Sequence, residues 1–112
     1  AIIVKWEVKL MAAFELAANK TYGPYAQDGE LWVCFTGSNH TTGGNSGSPV
    51  LDEKGNLMGL NFDRSWESTM SDYLFDPNRC RNIVVDIRYV LWVMDIYAGA
   101  THLVNEMTLI KD

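Results

Sequence analysis

A small fold mixing α-helix with antiparallel β-structure is what this sequence predicts: a helix at the start, short strands in the middle and two helices at the end. Three observations carry the prediction. Strong helix formers cluster at Met11-Ala-Ala-Phe-Glu-Leu-Ala-Ala18. Two apolar runs, Pro49-Val-Leu51 and Leu57-Met-Gly-Leu-Asn-Phe62, flank the turn residues Glu53-Lys-Gly-Asn56, as the strands of a hairpin do. Near the end Ile87, Val90, Leu91 and Met94 recur at helical spacing behind Asp86, a residue suited to cap a helix.

The elements follow in order. Ile2, Val4, Trp6, Val8 and Leu10 alternate with charged residues and read as a strand, but Trp6, Leu10, Phe14 and Ala17 also share one helical face. The helix is preferred, from about Lys5 to Ala18. Tyr22-Gly-Pro-Tyr-Ala-Gln-Asp-Gly29 has the chemistry of a loop, and Leu31 to Phe35 reads as a short buried strand. Thr36 to Ser48 is rich in Gly, Ser, Thr and Asn, and the hairpin comes next. Arg64 to Arg81 is a long polar connection carrying Trp66, Tyr73 and Phe75, of a length that usually serves function or lies against another domain. Ile83 to Val85 is a brief strand, and after the Asp86 helix a second helix is expected from Ala100 to Met107.

Bulk properties narrow the function. One hundred and twelve residues suffice for one small domain, and 47% hydrophobic with 21% charged residues is an ordinary globular balance. A net charge of −5 disfavours a nucleic-acid partner, which needs a basic face. The apolar stretch Tyr89 to Met94 is far too short to span a bilayer. Ala1-Ile2-Ile3-Val4 has neither basic leader nor cleavage site, so the chain is expected to be intracellular or to have lost its original N-terminus. Cys34 and Cys80 lack C-x-x-C spacing and complete no zinc pattern with His40 and His102, so two buried free thiols and no metal are expected. The Asn-x-Thr triplets at Asn19 and Asn39 are too short a pattern to argue glycosylation.

The informative stretch is Thr42-Gly-Gly-Asn-Ser-Gly-Ser-Pro-Val50. Gly44 and Gly47 flank Ser46 closely, so the peptide N–H groups of Gly44 and Ser46 can point into one concavity beside an exposed hydroxyl. An oxyanion hole needs that geometry. A plain Gly/Ser surface loop is the ordinary alternative for so short a pattern. Gly44-Asn-Ser-Gly-Ser-Pro49 resembles the nucleophile motif of trypsin-like peptidases. The longer run Asn39 to Pro49 resembles the C-terminal region of the bacterial serine dipeptidyl-peptidases 7 and 11. So do Gly59-Leu-Asn-Phe-Asp-Arg64, Trp66-Glu67, Val85-Asp-Ile-Arg-Tyr-Val90, Ala98-Gly-Ala100 and Leu103-Val-Asn-Glu-Met107.

That resemblance implies part of the second β-barrel of a chymotrypsin-like double barrel, with Ser46 as nucleophile, Gly44 in the oxyanion hole and no cofactor. It implies a Ser-His-Asp relay whose base and carboxylate lie in a first barrel upstream. A barrel half needs upwards of about 50 residues, more than precede Ser46, so the chain is expected to be a C-terminal piece that is inactive without its parent. His40, six residues before the serine, is taken as a loop-packing residue, and His102 as a helix-surface histidine. Glu67, Asp72 and Asp76 show no acid–base pairing.

If Glu53 and Asn56 flank a two-residue turn, hairpin partners sum to 109 and Ser46 faces residue 63, which puts Asp63 and Arg64 beside the nucleophile. Without the motif this pair reads as an exposed ion pair of little worth. By resemblance Asp63 holds the free α-amino group of the substrate, and Arg64 stands where the acid-preferring enzyme carries its S1 arginine and the broad-specificity one a glycine. The parent is then an aminopeptidase of the periplasm or cell surface of a Gram-negative bacterium, releasing N-terminal dipeptides with Asp or Glu second. It takes peptide substrates, forms a homodimer and binds neither nucleic acid nor cofactor. The alternatives are a non-catalytic trypsin-like half-domain that binds a peptide or partner chain, a broad-specificity dipeptidyl-peptidase, or a trypsin-like endopeptidase, which an amine clamp at Asp63 would disfavour.

Overall fold

The hairpin anticipated around residue 54 forms, and its turn is held from within. In the computed structural model, which describes residues 15–66, 68, 73–74, 76 and 78–110, Asp52 Oδ1 accepts the backbone N–H groups of Lys54 and Asn56 at 2.8 and 2.9 Å. Its other oxygen accepts Asn56 Nδ2 at 3.1 Å. These bonds hold the Asp52 carboxyl below the usual carboxylate range, the Asn56 N–H first among the causes. Gly55 takes a positive φ of 83°, which a side chain would resist. The turn is wider than the two residues expected. Asp52 N donates to Asn56 O and Leu51 pairs with Leu57, and a register shift between Val50 and Leu51 then restores the anticipated pairs Pro49↔Leu60 and Val50↔Gly59.

The chain forms two compact units, one of residues 1–31 and 90–112 and one of residues 32–89. The second unit is a four-stranded antiparallel sheet of β1 (Cys34–Gly37), β2 (Pro49–Leu51), β3 (Leu57–Arg64) and β4 (Asn82–Asp86), in the order β1-β4-β3-β2. Among the described residues the sheet is open, with β1 and β2 at its edges, and does not close into a barrel. The strand expected at residues 31–35 begins later, at Cys34, and lies at an edge: Trp32, Val33 and Cys34 are exposed and Phe35 is half-buried. β4 is central and alternates: Asn82, Val84 and Asp86 are buried, Ile83 and Val85 half-buried. Cys80 is a buried thiol as expected, whereas Cys34 is an exposed one, and both are free.

β4 runs directly into helix α1 (Ile87–Trp92). Asp86 caps it as anticipated, accepting the Arg88 N–H at 2.9 Å, and its carboxylate also grips the Arg88 side chain, with Nη2 at 2.7 Å from Oδ2. That carboxylate raises the Arg88 pKa further above its ordinary value. A wide π turn, Val93–Tyr97, extends the helix, and α2 (Thr101–Val104) is shorter than the expected helix over 100–107.

Within the first unit residues 15–18 are helical; the rest of the helix expected from Lys5 lies outside the described residues, as do Glu67 and Asp72. Tyr25, Leu91, Trp92 and Val104 are its buried core. Trp92 Nε1 donates to Thr21 O at 2.8 Å, and Asp95 accepts both Tyr25 OH and Thr101 Oγ1 at 2.6 Å. Those two donors, Thr101 first, depress the Asp95 pKa, while burial and then Asp95 push the Tyr25 phenol up to about 12. His102 is exposed on α2. Among the described residues no helix is long and apolar enough to cross a membrane, and no group of three or more metal-ligating side chains gathers.

Candidate active site

The loop between β1 and β2 is built from two successive tight turns. Asn45 N donates to Thr42 O at 3.2 Å and Ser48 N to Asn45 O at 3.0 Å. Each turn has a glycine at its third position with positive φ, Gly44 at 96° and Gly47 at 86°, the requirement of a type II turn. Ser46 occupies the second position of the second turn, exposed at its apex.

The peptide donors of this loop divide into two sets. Those of Thr42, Asn45, Gly47 and Ser48 are committed: Thr42 N to Asn45 Oδ1 at 2.7 Å, Gly47 N to Asn61 O at 2.7 Å, and the other two in the turns. The N–H groups of Gly43, Gly44 and Ser46 have no acceptor among the described residues. Two of these three, those of Gly44 and Ser46, are the donors proposed from sequence.

β3 supplies the other wall. Its pairing with β4 passes from Asn61↔Val84 to Asp63↔Ile83, which leaves Phe62 bulged. The Phe62 carbonyl accepts the Ser46 hydroxyl at 3.4 Å. The anticipated register therefore holds as far as the nucleophile loop: Asn61 N donates to Ser48 O at 2.9 Å, and the serine meets the strand within one residue of Asp63. Asp63 is exposed, and its Oδ1 accepts the Arg64 backbone N–H at 2.8 Å. Arg64 is half-buried, and its Nη1 reaches Thr41 O, in the loop before the serine, at 3.4 Å. Ser46, Asp63 and Arg64 thus gather around one stretch of loop and one strand end.

Among the described residues the partner of Ser46 Oγ is a carbonyl and not an imidazole. His40 is exposed and helps line an open hollow of about 350 Å³, together with Asn39, Asn45, Ser48, Asn61 and Asn82. Ser46, Asp63 and Arg64 are not among the residues that line that hollow. Asp76 accepts the Asn78 N–H at 2.9 Å and lies 3.8 Å from Arg79, a local turn contact.

The family model for peptidase S46 matches residues 5–109. The chain belongs to the peptidase S46 family. It is 62% identical over 96 residues to the Asp/Glu-specific dipeptidyl-peptidase of Flavobacterium psychrophilum, covering 86% of this chain and 14% of that protein. It is 51% identical over 98 residues to dipeptidyl-peptidase 7 of Capnocytophaga gingivalis, covering 87% of this chain and 14% of that protein. The crystal structure of Porphyromonas endodontalis DPP11 in complex with the dipeptide Arg-Asp superposes with a TM-score of 0.80 at 48% identity, over 88% of this chain and 14% of that one. The chain therefore spans about 14% of the length of the curated relatives it matches. These relatives come from Gram-negative bacteria, and the open antiparallel sheet is consistent with part of the chymotrypsin-like S46 fold.

Sequence reasoning overlooked Asn61 and Asn82. Both are buried within strands, and Asn82 Nδ2 donates to Asn61 Oδ1 at 3.0 Å. The signal was available, since asparagine is depleted in strands, and here Asn61 interrupts an apolar run and Asn82 opens one.

Proposed function

We propose that this chain carries the nucleophile and part of the substrate cleft of a serine dipeptidyl-peptidase that releases N-terminal dipeptides with Asp or Glu at P1. What supports this reading is the pair of uncommitted N–H groups, Gly44 and Ser46, in the two turns that present the exposed Ser46, in a chain of the S46 family.

Ser46 Oγ attacks the carbonyl carbon of the second substrate residue, and its proton passes to a histidine supplied by sequence outside these 112 residues, oriented there by an aspartate. The oxyanion that forms accepts the Gly44 and Ser46 N–H groups, which need no rearrangement because their turns are fixed by glycine conformations and by four committed donors. Collapse of the intermediate expels the shortened peptide as an amine protonated by the same histidine. Water then hydrolyses the dipeptidyl ester on Ser46.

Asp63 binds the substrate's α-ammonium group, which sets the distance from N-terminus to scissile bond at two residues. Arg64 receives the P1 carboxylate: its guanidinium is half-buried beside the loop, and a planar fork holds a carboxylate through two parallel bonds. The names of the 62% and 63% identical relatives, both Asp/Glu-specific dipeptidyl-peptidases, agree with that preference. The sheet is then part of the second barrel of a double barrel, the 112-residue chain alone is inactive, and the enzyme works in the periplasm or at the cell surface as a homodimer.

The test is a digestion of free and N-acetylated peptides by the full-length enzyme, with products weighed by mass spectrometry. Stepwise release of dipeptides from the free peptide only is expected. Cleavage of the acetylated peptide at the same rate overturns the amine clamp.

A further inference from the structure

Two carboxamides removed from water on adjacent central strands demand an explanation, because each must find partners for both its oxygen and its NH₂ group. Asn82 is fully buried and Asn61 5% exposed, and none of their buried polar atoms is left without a partner. Asn61 pairs with Val84, so Asn82 lies diagonally across the ladder, two residues along the same strand.

The bonds run in one direction. The Asn39 N–H donates to Asn82 Oδ1 at 3.2 Å, which turns Asn82 Nδ2 toward Asn61 Oδ1 at 3.0 Å. That in turn leaves Asn61 Nδ2 to donate to Asn45 O at 3.2 Å. The side chain of Asn45 continues inside the loop, where its Oδ1 accepts the Thr42 N–H at 2.7 Å. Reversing either buried carboxamide would set donor against donor and acceptor against acceptor. Room is kept for the chain of bonds at Gly37, where a Cβ would come within 2.8 Å of Asn82 Oδ1.

Strands β3 and β4 already have their backbone ladder, so the outward bonds matter most. They fasten the loop at Asn39 and Asn45, and through Asn45 at Thr42, and the next residue after the last anchor is Ser46. We propose that Asn82, Asn61 and Asn45 are positioning residues. They form an amide relay from the sheet into the loop and set the angle at which Ser46 Oγ and the Gly44 and Ser46 N–H groups meet the substrate carbonyl. The proposal rests on the reading of Ser46 as nucleophile. None of the three side chains bonds to Ser46 Oγ, so their effect is on geometry and not on substrate affinity.

The experiment uses the full-length enzyme and an Asp-P1 fluorogenic dipeptide, with kcat, KM, melting temperature and the rate of labelling by a fluorophosphonate measured together. Asn61→Asp keeps the acceptor for Asn82 and loses the donor to Asn45 O. Asn45→Ala loses the acceptor for Thr42, whereas Asn45→Asp keeps it. Misplacement of a reacting group by about 1 Å costs on the order of 10²-fold, so Asn61→Asp and Asn45→Ala should lower kcat by roughly 10- to 100-fold. Labelling should slow in parallel with KM within about twofold, and Asn45→Asp should recover most of the loss. Unchanged kcat with a lowered melting temperature, or Asn45→Asp as impaired as Asn45→Ala, overturns the relay while Ser46→Ala remains inactive. Retained turnover in Ser46→Ala overturns the nucleophile reading and the relay with it. Should Asn61→Asp fail to fold, the two Asn45 variants decide the loop end of the relay, and Asn61→Ser, measured in the same way, decides its buried end, where an unchanged kcat overturns the relay.

Discussion

Replacing Arg64 by glycine in the full-length peptidase should separate acidic from apolar substrates. Arg64 sits at the end of β3, half-buried, with Nη1 at 3.4 Å from Thr41 O. Loss of the contacts that Arg64 makes within the protein falls on every substrate alike. A P1 carboxylate entering the same space has far more at stake, since breaking a buried charge pair costs about 3–5 kcal/mol. Arg64 keeps some exposure, and the lower part of that range applies, roughly 3–4 kcal/mol, which at about 1.36 kcal/mol per tenfold is ~10²–10³ in kcat/KM. A glycine at a strand position weakens the strand by only ~0.5–1 kcal/mol, and that loss falls on every substrate alike. The assay compares dipeptide substrates that differ only at P1, at low and moderate salt. Asp and Glu substrates should lose ~10²–10³ while apolar ones hold or gain, and Arg64→Lys should fall between, retaining charge without the two-point grip. An equal fall for acidic and apolar substrates would refute the assignment and make Arg64 structural.

Two further outcomes follow from packing and titration. A Cβ at Gly59 would collide with the Val85 carbonyl and lie 2.6 Å from Val84 Cγ1, so Gly59→Ala should part β3 from β4 and lower stability by about 1–3 kcal/mol. Denaturant unfolding of the full-length enzyme checks it, and an unshifted midpoint would contradict it. The Tyr25 phenol, pushed up to about 12 chiefly by burial and then by Asp95, is held neutral in the folded chain. The folded value is raised, so this stabilisation is complete below the ordinary tyrosine pKa of about 10 and is lost as pH rises toward 12. Denaturant midpoints measured across that window should fall more steeply for the native protein than for Tyr25→Phe, and parallel curves would contradict the prediction.

How far the sequence foretold these features depended on the range of the interactions behind them. The β2–β3 pairing was legible because alternation and turn residues fix a hairpin locally, and Pro49↔Leu60 and Val50↔Gly59 keep the expected sum. The turn itself came out wider because the Asp52 side chain takes over the role of a backbone acceptor, a choice that composition does not reveal. Asp86 was readable as a cap because capping is set within one turn. The edge strand was misplaced at Leu31 because its apolar residues suggested burial. Only the long-range pairing Cys34↔Val85 to Gly37↔Asn82 decides where β1 begins. Around the candidate site, Ser46, Gly44, Asp63 and Arg64 could be singled out from motif and register, and the strand does return to the serine, at Phe62. The Phe62 bulge and the Asn82–Asn61 relay were hidden, for both depend on how β3 lies against β4 and not on local spacing.

The central claim is that Ser46 is the attacking residue, and covalent mapping tests it most directly. The full-length enzyme is treated with a fluorophosphonate, digested, and the adduct located by mass spectrometry, with Ser46→Ala treated alongside. One adduct on Ser46 is expected, lost together with turnover in Ser46→Ala, because only a hydroxyl activated by a base and faced by oxyanion donors reacts at a useful rate. An adduct on Ser38 or Ser48 instead, or undiminished turnover by Ser46→Ala, would contradict the account.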